Sequence, residues 1–173
     1  MIHIAHLRRL ADRFSRLFRA ALAIAAFGAL ALQTCAAGEA YLGTWKITSA
    51  MVAPWWEGSG HKPYAAEMKS LVGKTVTIAA NAIRGPRELA CTGVRYVVKD
   101  YPAAMLFQGA FDEIHRRNPS ADPVKIAATV GFGGSTTWKT LETGCAVEID
   151  YHFIDRNTAA FGLNDYIYIL KRQ

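Results

Sequence analysis

The sequence predicts a mainly β fold, an antiparallel barrel with one or two short helices inserted at about residues 111–130. Two stretches carry the strand prediction: residues 43–49 and 146–154 alternate apolar and polar side chains, as a strand with one buried face does. Between residues 111 and 130 the apolar side chains recur at helical spacing instead. A strand-rich chain with a short helical insertion is the expected result.

Residues 1–37 are predicted to be a signal peptide. Arginines precede an apolar run of about 13 residues from Ala20 to Leu32, which fits an export signal and is shorter than the roughly 20 residues of a membrane span. Small residues follow, so cleavage is expected between residues 37 and 40. An uncleaved N-terminal anchor is one alternative. Lipidation of Cys35, in the lipobox-like Leu-Gln-Thr-Cys, is another, and only then do we expect membrane attachment.

Residues 41–173 are predicted to form a single domain, and its charge is modest. The whole chain has 20 Lys and Arg against 14 Asp and Glu, and loss of residues 1–37 removes five Arg and one Asp, leaving 15 against 13, or +2. The sequence has no basic stripe with interleaved aromatic residues, so a nucleic-acid partner is not expected. We expect a periplasmic or secreted bacterial protein, a monomer.

Two cysteines, Cys91 and Cys145, remain after the predicted cleavage. An even number of cysteines in an exported chain predicts a disulfide, because oxidising compartments allow the bond to form and persist. A bridge that closes a loop of this length would stabilise the fold by about 4 kcal/mol in the chain-entropy model. Two separate buried thiols are the alternative.

The remaining elements follow from spacing and turn residues. A long loop rich in Pro, Gly and Trp occupies residues 50–63, and a short helix is expected from Tyr64 to Val72. Pro119 ends one predicted helix, and Asp122-Pro123 begins the next. Further strands are expected at residues 74–79, 81–84, 91–101, 104–108, 136–142, 146–154, 159–163 and 166–172. The last three should form a meander of hairpins.

Two motifs at opposite ends of the domain point to a known group of barrels. Gly43-x-Trp45 opens the first strand, and Lys171 and Arg172 close the last. This combination resembles the lipocalin and calycin families of small antiparallel barrels. The resemblance implies a lipocalin-like barrel in which Trp45 packs at the closed end and the terminal basic side chain lies across its indole. Gly43, Trp45 and Arg172 are therefore the expected barrel floor.

The sequence offers little that would support catalysis. Ser59 lies two residues before His61, but Glu57 stands where a nucleophile elbow has its first glycine. The histidines are not spaced as metal ligands. Because His152 alternates with apolar neighbours, we expect it to be a solvated histidine on the outer strand face. No enzymatic activity, metal or cofactor is predicted.

Two hypotheses for function remain. If the barrel is hollow, it binds a small apolar molecule; if it is filled, the protein acts through its surface. In the second case it would be an inhibitor of a lysozyme-like or other wall-degrading enzyme, with the Trp55-Trp56 loop inserted into the partner. The wall and floor of the barrel are expected to be Trp45, Tyr96, Trp138, Tyr151, Phe153, Phe161 and Tyr168. The candidate contacts for ligand or partner are Trp55, Trp56, His61, Tyr96 and Trp138.

Overall fold

A computed structural model describes residues 40–173. Strands in this part of the chain are β1 (Gly43–Val52), β2 (Thr75–Ala79), β3 (Ala82–Arg84), β4 (Cys91–Thr92), β5 (Val97–Pro102), β6 (Thr137–Glu142), β7 (Tyr151–Phe153), β8 (Thr158–Leu163) and β9 (Tyr166–Arg172). Helices are α1 (Ala65–Leu71), α2 (Leu106–Arg117) and α3 (Pro123–Thr129), with 3-10 turns at Pro54–Trp56 and Ala103–Met105. The predicted signal peptide and Cys35 lie outside the described residues.

The nine strands of the described residues form one antiparallel sheet in the order β4-β3-β2-β1-β9-β8-β7-β6-β5. The first strand pairs with the last, so the two ends of the domain meet at the centre of the sheet. The sheet curls strongly into a half-barrel. This confirms the predicted mainly β, antiparallel fold with short helices.

The two edges of the sheet, β4 and β5, are joined across the open side. Cys91 at the edge strand β4 is bonded to Cys145, with their Cα atoms 6.1 Å apart. The Tyr96 hydroxyl, just before β5, donates a hydrogen bond to the Ala79 carbonyl of β2 (2.8 Å). The disulfide prediction is confirmed. A disulfide indicates a location outside the cytosol.

One hydrophobic cluster fills the concave side of the sheet. Its members come from nearly every strand and from α1. They include Trp45, Ile47, Leu71, Val76, Ile78, Leu141, Tyr151, Phe153, Phe161, Tyr168 and Leu170. Trp45 and Ile47 lie on the buried face that the alternation of β1 predicts.

A second cluster covers the convex side of β6 to β9. Here α2 and α3 pack on the sheet, and the cluster includes Leu106, Phe107, Phe111, Phe132, Trp138, Ala160 and Ile167. Strands β7 to β9 are therefore buried on both faces where these helices lie, which explains why β7 is buried throughout. The Asp122 side chain accepts a hydrogen bond from the Val124 N–H (2.9 Å) and caps α3, as the Asp-Pro motif predicts.

Several local predictions are wrong. Residues 104–108 are not a strand but a 3-10 turn leading into α2. The predicted strand at 91–101 is broken between β4 and β5, and only Tyr151–Phe153 of the 146–154 segment is extended and paired. Trp138 lies in the outer cluster rather than in the barrel wall. Each error concerns a segment whose environment is set by the helical layer or by the open edge.

No helix within residues 40–173 is long and apolar enough to cross a bilayer.

Candidate functional site

The lower end of the half-barrel is closed by Trp45 and Arg172. These residues are paired across β1 and β9, and the guanidinium carbon of Arg172 lies 4.3 Å from the centre of the Trp45 ring. The fully buried Trp45 indole donates a hydrogen bond to the Tyr41 carbonyl (3.3 Å). Gly43 has φ +137°, and a β-carbon there would lie 2.9 Å from Arg172 Nη1. Glycine is required because the guanidinium passes over this position.

Aromatic side chains pack closely above that floor. Phe161 stacks on Tyr168 with ring centres 5.0 Å apart, and Tyr151 lies 5.7 Å from Phe161. Phe153 contacts the Trp45 ring edge to face at 5.5 Å. All five rings are at most 6% exposed. The inside of the half-barrel is therefore a packed core along these strands.

One polar atom in this core is unsatisfied. The Tyr151 hydroxyl is buried and has no hydrogen-bond partner within residues 40–173. Burial raises the pKa of Tyr151 far above its ordinary value, so the hydroxyl stays neutral. A buried hydroxyl without a partner costs about 1–3 kcal/mol, and such a group usually marks a bound water, a ligand or strain.

The upper end of the half-barrel is covered by the segment that leads into α1. His61 Nε2 lies 2.7 Å from Asp165 Oδ1, and the Tyr64 N–H donates to Asp165 Oδ2 (2.7 Å). These bonds lower the pKa of Asp165, the Tyr64 N–H contributing most. On α1, Glu67 accepts hydrogen bonds from the Asn164 side chain (2.6 Å) and from the Tyr168 hydroxyl (3.2 Å). The mouth that a hollow barrel would use is thus tied shut by polar contacts.

The two tryptophans of the long loop are half-buried. The Trp55 and Trp56 indoles both donate to the Asn164 carbonyl, at 3.2 and 3.4 Å. Trp55 packs against Phe107, with ring centres 6.0 Å apart, and Trp56 stacks on His61 at 4.1 Å. Both belong to the edge of the outer cluster and do not project freely into solvent.

Trp55 forms one wall of an open groove of about 700 Å³. The groove runs between the loop at residues 54–59 and the helices α2 and α3, outside the half-barrel. Its apolar lining is Pro54, Trp55, Ile114 and Ile126, and its charged lining is Glu57, Arg117, Asp122 and Lys125. An apolar floor with a few charged groups at the rim is typical of a surface that binds another molecule.

His152 is fully buried, so the expectation of a solvated histidine is wrong. Its Nε2 accepts a hydrogen bond from the Phe107 N–H (2.9 Å), and its Nδ1 lies 2.8 Å from the Thr140 hydroxyl. Burial lowers the pKa of His152 to about 3, and the neutral ring therefore carries its proton on Nδ1. The outer helical layer, which alternation along β7 cannot reveal, covers this face.

The histidine holds an unusual backbone turn. Phe107 and Gln108 have φ 51° and 56°, and Gly109 has φ 80°, so three consecutive residues are left-handed. Non-glycine residues in this region cost of order 1 kcal/mol each and persist only where surrounding contacts hold them. The Gln108 side chain donates to the Glu148 carbonyl (3.1 Å), and Glu148 itself has φ 49°. Only Gly109 was a sequence signal for this turn.

A cluster of charged groups lies beside that turn. Glu142 accepts hydrogen bonds from Lys99 and Tyr101, which lower its pKa, while the bond to Glu142 raises the pKa of Tyr101 to about 12. Burial raises the pKa of Asp150. Carboxylates whose pKa values shift in opposite directions are the arrangement of a general acid and base. Here Glu142, on β6, already accepts hydrogen bonds from Lys99 and Tyr101, both on β5. The cluster therefore links the side chains of these two strands.

Other candidates from the sequence are placed as follows. The Ser59 hydroxyl donates to the Trp56 carbonyl and accepts from the His61 N–H, so it does not face the imidazole. Tyr96 lies at the open edge of the sheet, next to the concave cluster. The described part of the chain contains no group of three or more His, Cys, Asp or Glu placed to hold a metal ion.

Comparison with models of protein families, with curated proteins and with solved structures finds no match.

Proposed function

We propose that this chain is an exported, non-catalytic protein-binding module with a lipocalin-like half-barrel, and that it binds its partner in the groove walled by Trp55. The partner would be a lysozyme-like or other wall-degrading enzyme, which the module would inhibit, as the sequence suggests. Membership of the lipocalin or calycin families is part of the proposal, supported by Gly43, Trp45 and Arg172 at the barrel floor.

The packed interior is the observation that carries this proposal. The rings of Trp45, Tyr151, Phe153, Phe161 and Tyr168 occupy the space in which a lipocalin would hold its ligand. The upper end is held closed through Asp165 and Glu67. A protein built in this way acts through its outer surface.

The groove has the composition that protein interfaces favour. Trp55 is a large aromatic side chain held rigidly by its hydrogen bond to the Asn164 carbonyl and its packing on Phe107, so little side-chain entropy is lost on binding. Charged groups on opposite sides of the groove, Glu57 on the loop and Lys125 on α3, would select a partner by its charges.

Site-specific photocrosslinking in the producing cell tests the proposal. A photoreactive amino acid replaces Lys125, which lines the groove, or Lys69, an exposed lysine on α1 that serves as the matched control. The proposal predicts a single crosslinked protein from position 125, lost when Trp55 is also changed to Ala, and none from position 69. Crosslinks of equal yield from both positions, or a yield unaffected by Trp55→Ala, would contradict it.

The unsatisfied Tyr151 hydroxyl favours a second candidate function, carriage of a small apolar molecule with one polar group inside the barrel. Native mass spectrometry of the protein isolated from the periplasm distinguishes the two. A bound small molecule that is lost in Tyr151→Phe supports carriage. If both the parent and Tyr151→Phe show only the mass of the protein, partner binding in the groove is supported.

A further inference from the structure

The convex face of β3, β2, β1 and β9 carries two adjacent rows of basic and hydroxyl side chains. In the first row, Thr75 lies opposite Lys46, which lies opposite Lys171, and Lys171 lies opposite Thr158. In the second row, Arg84 lies opposite Thr77, which lies opposite Thr44. Directly opposed residues of antiparallel strands point to the same side of a sheet. We call this set the cationic face.

These side chains point away from the packed core. The neighbours of Lys46 in β1 are the fully buried Trp45 and Ile47, and Ile83 beside Arg84 is buried on the concave side. Lys46, Arg84 and Lys171 are all exposed. The helical layer lies over a different part of this side of the sheet, where its contacts include Met51 in β1, Ala160 in β8 and Ile167 in β9. The cationic face therefore shares no residue with the Trp55 groove.

The charges of this face are not balanced within the sheet. Lys46 is directly opposite Lys171, and like charges in that position destabilise a strand pair. In the described part of the chain the ion pairs involve other lysines and arginines. Asp155, in the turn before β8, is the acidic group that interacts with Lys171, which also donates to the Thr158 hydroxyl (2.6 Å). On the other side Lys46 lies opposite Thr75, and Arg84 lies opposite Thr77.

We propose that the cationic face docks on a membrane surface rich in anionic phospholipid. Ammonium, guanidinium and hydroxyl groups together are the donors that bind phosphate oxygens. Basic side chains near an anionic bilayer each contribute to attraction at short range. Strands β1, β2 and β9 present their donors at spacings of about 5 Å across the sheet, so several headgroups can be contacted together.

The sequence that precedes this face favours a bilayer over other polyanions. Thr44, in the second row, follows Cys35 by nine residues and the end of the apolar run 20–32 by twelve. An uncleaved anchor or a lipid on Cys35 would therefore attach the chain to a bilayer within nine to twelve residues of this face. If instead the leader is removed, the cationic face is a peripheral attachment site in its own right.

Vesicle co-sedimentation tests this inference. The mature protein with Cys35→Ser, which cannot be lipidated, is purified from the periplasm so that the five arginines of the leader are absent. It is mixed with phosphatidylcholine vesicles with or without 30% phosphatidylglycerol. The readout is the ratio of the two apparent affinities. Lys46→Gln with Lys171→Gln should reduce this ratio about 30-fold, or roughly fivefold per lysine. Lys62→Gln with Lys69→Gln removes two exposed lysines elsewhere and should leave it within about twofold.

A second variant guards against a folding defect, because Lys171→Gln removes the bond to Thr158. Lys46→Gln with Arg84→Gln leaves that bond intact and should reduce the ratio to a similar extent. Equal loss in the Lys62 and Lys69 control would overturn the proposal. So would a ratio near one for the parent chain, or binding to dextran sulfate without binding to phosphatidylglycerol vesicles. The outcome is independent of the photocrosslinking test of the groove.

Discussion

Removal of the Cys91–Cys145 disulfide should open the half-barrel at one edge. Edge strand β4 is only two residues long and β3 only three, and short strands at a sheet edge contribute few ladder hydrogen bonds. Cys91 fixes this edge to the loop after β6, on the far side of the sheet. We therefore expect the double variant Cys91→Ala, Cys145→Ala to lose both stability and local order.

The magnitude follows from the loop that the bond closes. A separation of 54 residues gives about 4 kcal/mol from restricted unfolded-state entropy. For 134 described residues, an unfolding entropy of about 2.1 cal/mol/K per residue converts this loss to a decrease in Tm of about 15 °C. Differential scanning calorimetry of the oxidised parent, the reduced parent and the double variant measures it. The Tm of the reduced parent and the Tm of the double variant should agree within a few degrees.

Hydrogen exchange adds a local readout. Amide protons of β2 and β3, including Ile83, should lose protection in the variant before those around Ala160 in β8 and Ile167 in β9, which lie at the sheet centre under the helical layer. A decrease in Tm below about 4 °C would refute the entropic reasoning. A uniform loss of protection across the sheet would refute the assignment of the bond to the β4 edge.

Three further predictions concern single residues. The pKa of His152 is about 3 in the folded protein and ordinary in the unfolded chain, so below about pH 6.5 the unfolded state binds one more proton. The free energy of unfolding should therefore be constant in this respect above about pH 6.5 and fall by up to 1.4 kcal/mol per pH unit toward pH 4. His152→Gln should remove that slope, as measured by urea titrations at a series of pH values. Tyr151→Phe removes a buried hydroxyl without a partner and should leave the free energy of unfolding unchanged or raise it by about 1 kcal/mol. Gly43→Ala should lower it by about 1–3 kcal/mol, because the new methyl meets Arg172 at a positive φ.

Each of these has a clear contrary result. An unchanged pH slope in His152→Gln would mean that other groups dominate acid unfolding. A loss of more than about 2 kcal/mol in Tyr151→Phe would mean that the hydroxyl has a partner in solution, such as a buried water. A neutral Gly43→Ala would show that Arg172 moves aside at little cost. Gly60→Ala, also at a positive φ but in open space, is the matched control for backbone strain alone.

Local sequence determined the centre of the sheet and the disulfide. Alternation placed Trp45 and Ile47 on the buried face of β1, because a period of two depends only on the chain itself. Asp122-Pro123 fixed the start of α3, since a cap acts on its own first turn. Two cysteines in a predicted exported chain left one intramolecular pairing, and the structure has it.

Tertiary structure alone decided what covers the convex side of β6 to β9. The local pattern predicted a solvated His152 and placed Trp138 in the barrel wall. Both instead lie under the outer helical layer, where Phe107 packs on His152 and Phe132 packs on Trp138. The left-handed turn at Phe107 exists because the His152 ring accepts its N–H, a contact between residues 45 apart. Alternation reports which residues share a face. Whether that face meets water or another layer depends on non-local packing that the local pattern does not contain.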